Sequence, residues 1–281
     1  MSRSLRPVAL LAATLLLAVG AQAQRIEKSF PADAETVVDL RNQVGQVRLH
    51  GWSQPLVKVV ALRSGRAVEP HLEKRAERVH IHTHVLDLGA PAGDRVVDYE
   101  VWAPPDVELS LYLESGSVLV ENFTQDVRIE APAADVRLYR VDGRASVETL
   151  SGSIETEHCS GRLELMSISG SIRLRDNDSR YVVARNTSGD IFFDGDLQRG
   201  GSYEFRNNNG AIELVLPATA SFELNAQSSE GEVTNEFPFT PRAHGRAAPR
   251  GPYRSLLGTV QNGDAVVRAT SLSGRIRVRK R

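Results

Sequence analysis

A glycine that returns every 18–21 residues, each time in a polar turn between two short strands, constrains this 281-residue chain more than any other feature. Gly152, Gly170, Gly189, Gly210 and Gly274 each close a Ser/Asn-rich turn and are each followed two places on by isoleucine. The first four lie 18, 19 and 21 residues apart, and Gly231 follows after another 21. Apolar residues fall seven and five places before the glycine and two and four places after it. Around Gly116 these are Leu109, Leu111, Val118 and Val120, and around Gly274 they are Val267, Ala269, Ile276 and Val278. Gly45 obeys the same rule through Val38, Leu40, Val47 and Leu49. Alternation at period two places these side chains on one face of consecutive strands, a spacing no helix keeps.

Half-steps of nine run through Val118, Val127, Val136, Ala145, Ile154, Leu163 and Ile172. Two short strands and two turns fill an 18–21-residue interval, so one unit reads as one coil of a stacked structure whose copies bury each other's apolar faces. The prediction is an all-β chain: a single-stranded β-helix or β-solenoid of 18–21-residue coils, with an N-terminal cap containing one short helix. An antiparallel sandwich also has short strands at such spacing. It does not hold one glycine register through many units.

Residues 24–105 read as the cap and first repeat, and 106–281 as the solenoid. Glu69 to Arg78 is the predicted helix, with Leu72, Ala76 and Val79 on one side. Strands are expected at Val79–Val85 and Asp98–Trp102. Residues 237–258, rich in Pro, Gly and Arg, read as a long surface loop that separates Gly231 from Gly274.

Residues 1–23 carry an address. Arg3 and Arg6 precede an apolar run from Val8 to Val19, and Ala21-Gln22-Ala23 supplies small residues for signal-peptide cleavage after Ala23. The run is short of the roughly 20 residues needed to span a bilayer. An exported chain, periplasmic or secreted and without a transmembrane segment once cleaved, is expected. The remaining composition is balanced, with 34 basic and 35 acidic side chains, which gives no reason to expect a nucleic-acid partner. Aromatics make up only 6%, so the core must be built mainly from Val, Ile, Leu and Ala.

The Gly-x-Ile-x-Leu units, the segment Asp98-Tyr99-Glu100-Val101 with Pro104-Pro105-Asp106-Val107, and the early Gly51-Trp52 resemble the bacterial "putative adhesin" family. The resemblance implies an exported or membrane-tethered β-helix-like domain of the cell envelope. It offers no catalytic residue to carry over. The chain-long repeat without a convergent catalytic set points to a non-enzymatic scaffold or adhesin-like binding module for a glycan or a protein, with no cofactor.

Three local features carry chemistry. His80, His82 and His84 alternate on one predicted strand and share a face, so they are candidate metal ligands for zinc or copper. His50 or His71 would be a source of a fourth ligand. Asp176, Asp178, Asp190, Asp194 and Asp196 recur one coil apart, as the carboxylates of a calcium site or of a polysaccharide lyase or hydrolase would. Arg275, Arg277, Arg279, Lys280 and Arg281 put cations on the last strand, where charge would discourage edge-to-edge pairing. Cys159 is the single cysteine, and Asn122, Asn177 and Asn186 begin glycosylation sequons.

Overall fold

The half-steps of nine cross between two sheets. In the computed structural model, which describes residues 24–241 and 254–281, Leu109, Val127, Ala145, Leu163, Val182, Tyr203 and Val267 stand in one parallel register. Val47, Val118, Val136, Ile154, Ile172, Ile191, Ile212 and Ile276 stand in the other. All of them are buried. Each coil is therefore two strands, one per sheet, and the two inward faces meet as one hydrophobic core. The fold is the β-solenoid that the glycine repeat predicts. The leader read in residues 1–23 and residues 242–253 of the surface loop lie outside the described residues.

The glycines sit where consecutive coils touch. A Cβ on Gly152 would lie 1.8 Å from the carbonyl oxygen of Ala134, on Gly170 1.8 Å from that of Gly152, and on Gly274 1.8 Å from that of Gly210. Close approach of backbones, more than turn flexibility, demands the missing side chain here. Three places before each glycine the inward position is polar and buried: Thr149, Ser167, Asn186, Asn207, Ser271 and Ser228. These side chains tie one corner to the next. Asn186 donates to the Gly170 carbonyl at 2.6 Å and Asn207 to that of Gly189 at 2.7 Å. Ser167 and Ser271 accept from the amides of Gly170 and Gly274. A buried polar side chain bonded in this way satisfies backbone groups that a corner leaves out of the sheet.

Stacking order departs from chain order at both ends. The coil 78–103 lies outside the coil 37–51, which pairs on its other side with 108–123. At the far end, the coil 265–280 lies between 202–216 and 222–235. After Val233–Asn235 the chain leaves the stack, and Ser255–Val260 returns antiparallel along Phe222–Ser228. Only then does the chain fill the rung it had skipped. The arginine-rich last strand, Ile276–Lys280, is thus an interior strand and not an edge.

The predicted helix is absent. Val68–Arg75 and Arg78–Val85 form an antiparallel hairpin with Arg75 opposite Arg78. Val68, Pro70 and Leu72 are buried in strict alternation, and that period-two pattern prevails over the partial helical stripe. Ala76 takes φ +49 in the two-residue turn. The one helical turn nearby is the 3-10 segment Ala92–Arg95. The core is aliphatic through most of its length. Phe193, Tyr203 and Phe205 widen it at one level, where the small Ala184 lies in register with Phe205.

Candidate functional site

The strand Arg78–Val85 buries Val79 and Ile81 and turns His80, His82 and His84 outward, as alternation requires. It lies between Val68–Arg75 and the first half of Val37–Gly51. His80 stands opposite Glu73 on one side and Asp39 on the other. His82 stands opposite His71 and Arg41. Asp39 brings the first two histidines together. Its Oδ2 is 3.3 Å from His80 Nδ1 and 3.3 Å from His82 Nε2, and its Oδ1 faces Arg41 Nε at 3.5 Å. One ligand atom from each of Asp39, His80 and His82 lies within 4.8 Å of the others.

Asp39 is 7% exposed. Burial raises its carboxyl, but the hydrogen bond with His82 and the charge of Arg41 outweigh that and hold it below the usual carboxylate range. Burial, joined by the charges of His80 and Arg41, lowers His82 more than the Asp39 carboxylate raises it. Both shifts favour an ionised carboxylate beside a neutral imidazole. His84 stands apart from this group, its ring edge-on to His71 at 5.6 Å. His50 belongs to the other sheet, where it meets Glu121 at 2.8 Å and stacks on Trp102. Asp39 escaped the sequence reading because its only signal was its outward place in the alternation around Val38 and Leu40; its nearness to His80 depends on a pairing that skips forty residues.

The aspartates divide between two corners. Arg281 reaches Asp196 at 2.6 Å, Asp194 at 3.6 Å and Asp176 at 3.9 Å, so one guanidinium sits among three carboxylates. Asp178 pairs with Gln198 beside them. Asp190 lies at the opposite corner, accepting from the Ala211 amide at 2.9 Å. Cys159 is buried, and burial pushes its thiol up to about 11, so it stays protonated and unreactive at neutral pH. Asn177 and Asn186 are buried and hydrogen-bonded inside the coils, which removes both as glycan acceptors.

The outer face of the second sheet carries a depression of about 240 Å³. Phe192 lies in it, between Arg173 and Glu213 of the neighbouring coils. Ser171 and Asp190 line its corner side. Arg279 holds Glu213 at 2.6 Å. Among the described residues no helix is long and apolar enough to cross a membrane.

A family model described as Toastrack DUF4097 matches residues 82–279. The chain belongs to this family. That agrees with the adhesin-like, β-helical domain of unknown function that the glycine units resemble. A crystal structure of a "putative cell adhesion protein" from Clostridium sporogenes aligns with 92% of this Toastrack chain and 100% of its own, at 11% identity and a TM-score of 0.28. Comparison with curated proteins gives no match.

Proposed function

We propose that this Toastrack protein is a non-enzymatic binding module of the bacterial cell envelope that takes a glycan on the outer face of its second sheet. The depression around Phe192 carries the reading. It offers a flat aromatic ring flanked by two guanidinium groups, two carboxylates and a hydroxyl. A sugar ring presents an apolar C–H face and a rim of hydroxyls, and this combination matches both. The solenoid holds these groups on rigid strands of three successive coils, so they need no ordering on binding. The leader read in residues 1–23 supports export, to the periplasm or beyond. The corner aspartates around Arg281 support binding over hydrolysis, because one guanidinium pairs with three of their carboxylates and occupies the depression they line.

Binding of a panel of envelope oligosaccharides by calorimetry tests the reading. The wild-type protein should bind at least one member without shortening it. Phe192→Ala and Arg173→Ala should each weaken that binding about tenfold. Absence of glycan binding, or release of shortened products, overturns the proposal; retention of an envelope protein in the absence of glycan binding would point to a protein partner instead.

A further inference from the structure

We propose that Asp39, His80 and His82 form a binding site for one late first-row divalent metal ion such as Zn²⁺, which clips the end coil of the solenoid to its neighbour. The geometry carries it. A charge-assisted N–H···O contact settles at about 2.7–2.9 Å. Both imidazole nitrogens stand farther from Asp39 Oδ2, at 3.3 Å. Zinc–nitrogen and zinc–oxygen bonds of about 2.0–2.1 Å in a tetrahedron place neighbouring ligand atoms about 3.3–3.4 Å apart. Both separations match the edge of such a tetrahedron and exceed a tight charge-assisted hydrogen bond, and the two nitrogens lie within 4.8 Å of each other. The two imidazoles also stand nearly perpendicular, at 79°, with ring centres 5.4 Å apart. That orientation lets both nitrogens converge on one point without the rings colliding.

The remaining groups fit. Arg41 occupies Oδ1 of Asp39 and leaves Oδ2 to the histidines, fixing the carboxylate as an outer partner of a metal ligand does. One carboxylate and two imidazoles suit zinc and its neighbours and are too few and too nitrogen-rich for calcium or magnesium. His80 and His82 are 23% and 30% exposed at their side chains, so an ion has a path in and a solvent-facing position for a further ligand. His84, on the same strand, takes no part. The ion would join the coil 78–103 to the coil 37–51, two segments adjacent in the stack and distant in the chain.

Titration of the chelator-treated full chain with ZnCl₂ by calorimetry, against a competing chelator, tests the site. Wild type should take up one ion per chain, and the melting temperature should rise by several degrees with saturating Zn²⁺. His80→Ala and His82→Ala should each weaken binding at least about 100-fold, since they remove ligands and not merely their supports. His84→Ala should stay within about twofold of wild type. Asp39→Asn probes the carboxylate, and circular dichroism establishes that each variant is folded. Should Asp39→Asn unfold, the two part-exposed histidines still decide the matter. No saturable binding by wild type, undiminished binding by His82→Ala, or an equal loss in His84→Ala would each overturn the proposal.

Discussion

Gly170 lies against the Gly152 backbone, and Gly152 against that of Ala134, so the coils touch along a column of backbone that leaves no room for a methyl group. At Gly170 a Cβ would come within 1.8 Å of a carbonyl oxygen that is itself part of the neighbouring corner and cannot step aside. Gly170→Ala should therefore destabilise the protein by about 3 kcal/mol or more, lowering its melting temperature by roughly 10 °C. Gly93→Ala is the control, since nothing lies within 4 Å of a Cβ there, and its melting temperature should move by no more than a degree or two. Equal effects would show that the repeat glycines serve turn entropy and not coil contact. The position of these residues was legible because a steric requirement repeated once per coil leaves the same letter each time. The buried Ser/Asn/Thr column three places earlier was not. Ser and Asn are also what exposed turns are made of, and only the structure shows Asn186 pointing inward to the Gly170 carbonyl. Asp39 was illegible for a different reason: a carboxylate's partners across a parallel sheet depend on which strands stack.

Strands are legible in the sequence where alternation is uninterrupted, and obscured where a second pattern competes. In Val68–Arg75 a charged, helix-favouring composition masked the alternating burial of Val68, Pro70 and Leu72. The second corner of each coil also left little trace. There Asn122, Arg140, His158 and Asp176 all adopt positive φ, between 49 and 63, without glycine to mark them. Stacking compensates the cost of about 1–2 kcal/mol that a left-handed residue carries. The C-terminal rung is the element with the largest consequence. The coil 265–280 hydrogen-bonds on both sides, to 202–216 and to 222–235, and no strand pairing joins those two directly. A chain truncated after Gly263 loses an interior rung, not an end. Its amides should lose exchange protection in both 202–216 and 222–235, while Arg144–Glu148 and Ile154–Glu157 keep theirs. Hydrogen exchange read by mass spectrometry checks this, and unchanged protection in 202–216 would mean that the rung is peripheral.

At the scale of the molecule, a solenoid must end without offering its last strands to another copy. Here each end strand is blunted. Among the described residues the first sheet ends at Val68–Arg75, which contains Pro70 and carries Glu69, Glu73 and Arg75, and at Thr240–Pro241, which ends in a proline. The second ends at the three-residue Val233–Asn235 and at Gln24–Pro31. Short length, proline and charge are the devices that keep edges from pairing. Gln24–Pro31 covers the segment with the greatest hazard. It runs antiparallel along all eight residues of Leu56–Arg63, and its Ile26 and Phe30 pack on the core. Leu56–Arg63 reads LVKVVALR, with one lysine in its middle and no proline, so its bare edge would be long, regular and strongly β-forming. Removing residues 24–31 should leave the stack folded, because the pairing of Leu56–Arg63 with Val97–Ala103 holds it from the other side. The truncated chain should then self-associate with rising concentration, while the chain retaining this strand stays monomeric. Sedimentation velocity across a tenfold concentration range separates the two. A truncated chain that remains monomeric while its circular dichroism is unchanged would show that the edge is protected by something other than its covering strand.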